Sequence, residues 1–367
     1  MNTDSTVRYL NLSVSDAAVR QELLDAVERV LCHGRIVMGP EVEELEKAIA
    51  EQSERSFAVA VSSGSAALYL ALRCLDLKPG DEVVSPALSW IATFNAIAAA
   101  GGEPVAVDIG GDLNINPDAI EDAITPRTRA IVVVHYTGLV CDMEAIQKIA
   151  RRHDLHIIED AAQAFSAKRN GKPAGSFGRL AAFSMNPMKV FAAYGEAGAV
   201  VGDDASLRDR LSMLRYSGVI NREVCHEISL NNKPDTIQAA MMLVALRHLK
   251  KKIDRRREIA HRYTRELGAF VACPAEPEGA YHVFYDYIVQ CDSRDGLRFF
   301  FEDKGIEVKV HHEMLMPDQP PYKNRKTRDL SVARRATERI LSLPCHESMK
   351  DGEAERVIEA VMQFHGK

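Results

Sequence analysis

The sequence predicts an α/β protein: a large, mostly parallel sheet with helices on both faces, followed by a smaller α+β domain. Two observations carry this. Between residues 57 and 158, short apolar runs of strand length alternate with segments of helical apolar spacing. From Tyr281 onward that alternation gives way to a mixture of short strands and helices. The length of 367 residues suits two domains at roughly 100–200 residues each.

Each element has its own signal. Residues 17–31 place Val19, Leu23, Leu24, Val27, Val30 and Leu31 on one helical stripe, with Gly34 as a stop. Gly39-Pro40 marks a loop before a second helix from about Glu41. Strands are expected at 57–61, 82–84, 105–107, 130–134, 156–158 and 199–201, and helices at 66–75, 90–100, 118–123 and 143–153. A long helix should run from Thr236 to about Leu267. In the last part, strands are expected at 285–289 and 308–310 and helices at 297–304 and 354–364. The large domain should end near residue 245 and the small one fill 246–367.

Bulk composition narrows the function classes. Hydrophobic residues make up 46% and charged residues 27%, as in a water-soluble globular chain. A net charge of -6 gives no electrostatic reason for a nucleic-acid partner. The basic run from His248 to Arg257 is broken by Asp254 and followed by Glu258, so it reads as a solvated helix face. The seven cysteines are scattered and lack C-x-x-C spacing, which fits reduced thiols in a cytoplasmic protein. Residues 1–10 contain no apolar leader segment, and no apolar run reaches the ~20 residues of a membrane span.

In a parallel α/β sheet, ligands gather beyond the carboxyl ends of the strands. The polar residues to weigh are therefore residues 62–65, residues 85–90, His135-Tyr136 and Glu159-Asp160. No G-x-G-x-x-G follows the early strands and no Walker sequence occurs. A Y-x-x-x-K match at Tyr322 and Lys326 lies in a Pro-rich charged loop and reads as chance. His311-His312-Glu313 lacks metal spacing, since adjacent strand residues face opposite ways.

Three segments support one chemistry. Ser62-Ser63-Gly64-Ser65 opens a helix, and free amides at the positive end of a helix dipole suit a phosphate. Glu159-Asp160 ends an apolar strand, with Gln163 one turn later. An aspartate there can keep a pyridine nitrogen protonated, although a plain helix cap is the alternative. Lys189 lies in an apolar stretch after Phe183-Ser184. Desolvation there would favour the neutral amine that forms Schiff bases, whereas most lysines are simply on the surface.

Taken together and in order, these segments resemble the pyridoxal-phosphate sugar aminotransferases (DegT/DnrJ/StrS type) of lipopolysaccharide and antibiotic deoxysugar pathways. The matching stretches are Gly39-Pro40-Glu41-Val42, Ser63-Gly64-Ser65-Ala66-Ala67-Leu68, Pro79-Gly80-Asp81-Glu82-Val83, Glu159-Asp160-Ala161-Ala162-Gln163, Phe183-Ser184 with Lys189, Gln238-Ala239-Ala240 and Leu341-Ser342-Leu343-Pro344. Also matching is the run from Ile124 to Ile131. The resemblance implies an aspartate-aminotransferase-like fold and pyridoxal 5'-phosphate as cofactor. It implies that Lys189 bonds to the cofactor and shuttles the proton, and that Asp160 pairs with the ring nitrogen. Trp90 would stack on the ring, Gly64, Ser65 and Ser184 would hold the phosphate, and Gln163 would lie near the phenolic oxygen. Asn231 would reach the phosphate of a second subunit in a homodimer with shared sites.

The resemblance further implies glutamate as amino donor and a keto-sugar, most simply nucleotide-linked, as acceptor. A dehydratase of the same fold would carry His at the lysine position, so Lys189 favours amino transfer; a non-catalytic regulator is the other alternative. The chain departs from the family pattern at four places: Asn231-Asn232-Lys233, Ile36, Ser217, and Met185-Asn186 before the lysine. These positions bear on the substrate more than on the cofactor.

Overall fold

The computed structural model describes residues 6–323, 325 and 327–366. Residues 1–5, which begin the stretch read for a leader, and Lys326 of the Y-x-x-x-K match lie outside the described residues.

Two helices open the described chain. Helix α1 (Ala17–His33) starts where the Asp16 carboxylate accepts from the Ala18 and Val19 amides, and ends at Gly34 with φ 72°. Only glycine takes that left-handed turn without strain. Helix α2 (Pro40–Gln52) follows, with Pro40 in its first turn, where no amide proton is needed.

The centre is a seven-stranded sheet. Its strands are β1 (Phe57–Val61), β2 (Glu82–Pro86), β3 (Glu103–Val107), β4 (Thr128–Val134), β5 (His156–Asp160), β6 (Leu180–Ser184) and β7 (Gly198–Gly202). Their spatial order is β1-β7-β6-β5-β4-β2-β3. Neighbours from β3 through β6 are parallel, and β7 runs antiparallel to both β6 and β1. No helix connects β6 to β7. A parallel return needs a crossover, so the short link turns β7 back beside β6. Lys189 lies in that link. Helices α3 (Gly64–Arg73), α4 (Ala92–Ala99), α5 (Pro117–Ala123), α6 (Met143–Arg152) and α7 (Ala205–Arg215) complete this part. Val59, Val132, Ile158 and Val200 face one helical layer, while Ala60, Ile131, Ile157 and Val201 face the other. Burial on both faces is why these strands read as unbroken apolar runs.

Helix α8 (Thr236–Leu267) joins two cores. Its early residues Ala240 and Val244 pack on Leu23, Ala26 and Val30 of α1. Its late residues Ile259, Tyr263 and Leu267 belong to a separate core around the antiparallel strands β8 (Tyr287–Gln290) and β9 (Ile340–Leu343). Helices α9 (Arg294–Asp303), α10 (Ser331–Arg339) and α11 (Asp351–Phe364) complete the chain's described part. Val7 joins this core too, pairing with Ile306.

Several expectations change. Helix α4 begins at Ala92, which leaves Trp90 in the preceding loop. The strand expected at 308–310 is only a single bridge between Lys309 and Ser342. Helix α10 was not expected: it buries only Ala333 and Ala336, too small a stripe to stand out in sequence. Helix α7 buries Leu207, Leu211 and Leu214 at helical spacing and extends the expected set. Among the described residues, no helix is long and apolar enough to cross a membrane.

Candidate active site

A cleft of about 410 Å³ opens at the carboxyl ends of the parallel strands, lined by Gly64, Ser65, Trp90, Asp160, Gln163, Ser184 and Lys189. Thus seven of the eight residues singled out in the sequence come together. Asn231 does not line it: it bridges Tyr216 on an exposed segment whose next residue, Asn232, accepts from the Ser62 amide at 2.9 Å.

One end of the cleft is built for a phosphate. Ser63 caps α3, its hydroxyl accepting from the Ala66 amide at 3.1 Å. The first amides of a helix have no acceptor within it, so those of Gly64 and Ser65 remain for a ligand. Crowding explains the glycines: a Cβ on Gly64 would stand 2.3 Å from the Ser184 Cβ, and one on Gly198 would stand 2.3 Å from the Ser63 carbonyl oxygen. Helix α3 can therefore approach the end of β6 only without those side chains, which puts the Ser184 hydroxyl beside the helix N-terminus.

The middle of the cleft presents a buried carboxylate. Asp160 is 7% exposed. Its Oδ2 accepts from the Thr93 hydroxyl at 2.8 Å and its Oδ1 from the Ala162 amide at 3.3 Å. Burial pushes its pKa above the ordinary value, while the Thr93 and Ala162 bonds and the nearby Lys189 charge oppose that rise. A cationic ring nitrogen would compensate this buried charge. Gln163 Oε1 accepts from the Thr137 amide at 2.7 Å, which turns the other end of its amide into a donor. Trp90 is 64% exposed and lines the cleft, so it is an open stacking surface rather than a core aromatic. Lys189 is half-buried, with Nζ 4.3 Å from the centroid of the Tyr285 ring. The donor set, the cradle and the buried carboxylate fit pyridoxal phosphate.

Glu159 faces the opposite side of β5 and locks the strand ends. Its Oε1 accepts from the Phe177 and Gly178 amides, and its Oε2 accepts from Gly175 N and His135 Nε2 at 2.8 and 2.9 Å. The Cys141 amide donates to His135 Nδ1, so the His135 proton sits on Nε2 and points at Glu159. Burial pushes the Glu159 pKa up, but His135 and the Gly178 and Gly175 amides outweigh it and hold the carboxyl below its usual value.

Further residues line the cleft that the sequence did not assign to it: Thr93, Tyr136, Tyr285, Asp286, His311 and His312. Tyr136 fell in a segment that the strand-end rule marks out, and His311-His312 stood out only as a histidine pair without metal spacing; Thr93, Tyr285 and Asp286 carry no sequence signal. Asp286 accepts from Tyr9 at 3.0 Å and from the Ser342 hydroxyl at 2.8 Å, and His311 Nε2 lies 2.8 Å from the Tyr9 oxygen. The N-terminal segment around Tyr9 and the small core thus brace one wall. Burial, then His311 and Lys189, push the His312 pKa down to about 4.

Comparison with known proteins gives a consistent picture. The DegT/DnrJ/EryC1/StrS aminotransferase family matches residues 17–362. A dTDP-3-amino-3,4,6-trideoxy-alpha-D-glucose transaminase of Streptomyces venezuelae is 37% identical over 98% of this chain and 96% of its own. A pleiotropic regulatory protein of Geobacillus stearothermophilus is 36% identical over 98% of each chain. Among solved structures, S. venezuelae DesV in complex with a ketimine intermediate superposes with TM-score 0.95 at 36% identity, covering 99% of both chains. Bacillus subtilis ntda with bound cofactor PMP superposes with TM-score 0.92 at 30% identity, over 99% of this chain and 86% of its own. The chain belongs to the DegT/DnrJ/EryC1/StrS aminotransferase family, whose cofactor is pyridoxal phosphate.

Proposed function

We propose that this enzyme moves an amino group from glutamate to the ketone of a nucleotide-linked deoxysugar. The observation that carries the reading is the convergence of Lys189, Asp160 and the Gly64–Ser65–Ser184 cradle in one cleft. The sugar class rests on likeness to relatives such as the S. venezuelae transaminase.

When bound, the cofactor supplies a carbonyl carbon that takes up the amine and a ring that accepts an electron pair. The chain's residues do the rest. The Gly64 and Ser65 amides and the Ser184 hydroxyl hold the phosphate. Trp90 covers one ring face. The Asp160 carboxylate would keep the proton on the ring nitrogen, and the free amide end of Gln163 would donate to the phenolic oxygen. Lys189 Nζ removes the proton from the donor carbon and returns it elsewhere, held in reach so that the step is effectively intramolecular. The working unit is a cytoplasmic homodimer in which Asn231 reaches the partner's phosphate. The exposed Ile228 and Leu230 next to Asn231 suit burial in such a contact.

The test has two arms. Borohydride reduction followed by peptide mapping should label Lys189; a label on Lys168 or Lys172 would refute the assignment. The visible band of the loaded protein should then fade on adding glutamate, and keto-sugar nucleotides should restore it. A second reading, a regulator that keeps the fold, is favoured by the likeness to the Geobacillus protein. It requires that glutamate leave the band unchanged.

A further inference from the structure

Two polar side chains in the cleft have no part in the cofactor roles given above and no hydrogen-bond partner among the described residues. Tyr136 is 2% exposed, and its hydroxyl is fully buried without a hydrogen bond among the described residues. His312 stands beside it, the two ring centroids 5.7 Å apart, and neither of its ring nitrogens is bonded among the described residues. Both line the cleft with Lys189. Buried polar groups are nearly always paired, so the idle Tyr136 hydroxyl needs an explanation, and the half-buried His312 ring beside it shares the cleft.

Their settings are otherwise well held. The Tyr136 amide is fixed by Asn114 Oδ1 at 2.9 Å. Next in the chain, Thr137 takes a left-handed φ of 58°, a strained conformation for a β-branched residue, and gives its amide to Gln163. His311, adjacent to His312, is tied to Tyr9 and Asp286. Rigid backbone thus presents two idle polar groups, an arrangement that suits a binding surface more than a packing defect.

The ligand chemistry follows from charge. Burial pushes the Tyr136 phenol well above its ordinary pKa, so it is a neutral donor. His312 is neutral as well and offers one donor and one acceptor. Neither attracts a phosphate or carboxylate. A neutral donor and acceptor side by side match a hydroxyl, which both gives and takes a hydrogen bond. We propose that Tyr136 and His312 form the subsite for a sugar hydroxyl on a carbon next to the one that receives the amine. The inference rests on the sugar reading above and adds the residues that choose among sugars.

The experiment uses the cofactor-loaded protein and two aminated sugar nucleotides as probes. These are dTDP-3-amino-3,6-dideoxy-α-D-galactopyranose and dTDP-3-amino-3,4,6-trideoxy-α-D-glucose, which differ in the hydroxyl at C4. Affinities are measured by calorimetry for wild type, Tyr136→Phe, His312→Leu and His312→Gln. Tyr136→Phe and His312→Leu should each weaken at least one probe about tenfold, and His312→Gln should recover part of the loss. If only the first probe weakens, the subsite reads the C4 hydroxyl; if both weaken, it reads the one at C2. Conversion of the cofactor by glutamate should stay within about twofold of wild type. Tyr136→Phe should also raise the melting temperature of the ligand-free protein, since it removes an unpaired buried hydroxyl. Variants that bind both probes as wild type does would overturn the subsite, as would an equal loss in the glutamate half-reaction. A wild type that binds neither probe would instead bring down the sugar reading and this inference with it.

Discussion

Replacing Thr93 by Val tests how the site keeps Asp160 charged. The change keeps the branched shape and removes one hydroxyl, which donates to Asp160 Oδ2 at 2.8 Å from a residue only 1% exposed. A hydrogen bond to a charged group contributes about 1.5–3 kcal/mol. At 1.36 kcal/mol per pKa unit, losing it raises the Asp160 pKa by about one to two units. The sign follows from the direction already present. Burial has raised this pKa in the folded chain, so the ionised carboxylate exists only above that raised value. A further rise moves the loss of activity to higher pH. Single-turnover conversion of the loaded enzyme by glutamate, followed by absorbance across pH, should show the acid limb displaced upward by about one to two units. The KM for glutamate should hardly change, because Thr93 touches Asp160 and not the donor. Thr93→Ser keeps the hydroxyl and should restore the wild-type limb. An unmoved acid limb in a folded, cofactor-loaded Thr93→Val protein would refute the reasoning.

Other expected outcomes concern the neighbouring residues. Asp160→Asn leaves a cationic ring nitrogen without its buried partner, a loss of about 3–5 kcal/mol, so turnover should drop by about two to four powers of ten while circular dichroism stays native. Glu159→Gln sets an amide group against at least one of the donors from His135, Gly175, Phe177 and Gly178; urea unfolding should report a loss of about 3–5 kcal/mol. The Glu159 pKa is lowered in the folded chain, so its stabilisation is complete above the unfolded value of about 4.3 and is lost as pH falls through the folded value. Wild type should therefore lose more stability on acidification than Glu159→Gln. Mixing Lys189→Ala with an Asn231→Ala variant, which forfeits about 1.5–3 kcal/mol of phosphate binding, should restore part of the activity if Asn231 serves the partner's site. No recovery on mixing would place Asn231 in its own chain's site.

Much of the site could be read before folding because its chemistry sits at strand ends. Asp160 ends β5, Ser184 ends β6, and Gly64-Ser65 follow β1 by one short turn. Local order alone places such residues at the ligand-binding edge. Lys189 stood out through its neighbours Phe183-Ser184. By contrast, Thr93 looked like any polar residue on an apolar helix; only the packing of α4 over β2 and β3 brings it to Asp160. Tyr9 and Asp286 are separated by 277 positions, and no spacing rule brings them together.

The sequence by itself determined the alternation that makes the parallel sheet, and it put Ser63-Gly64-Ser65, Asp160 and Lys189 at or just beyond strand ends. These are local properties, written in periodicity and in residues next to strand ends. Only the tertiary structure decided that β7 turns back antiparallel, that Trp90 is an open surface, and that Tyr136 and His312 find no hydrogen-bond partner among the described residues beside Lys189. Each of those depends on which distant segments approach one another, and on whether a buried polar group then finds a partner. A single chain's local pattern does not encode that outcome, because hydrogen bonds and burial are settled by the packing of the whole.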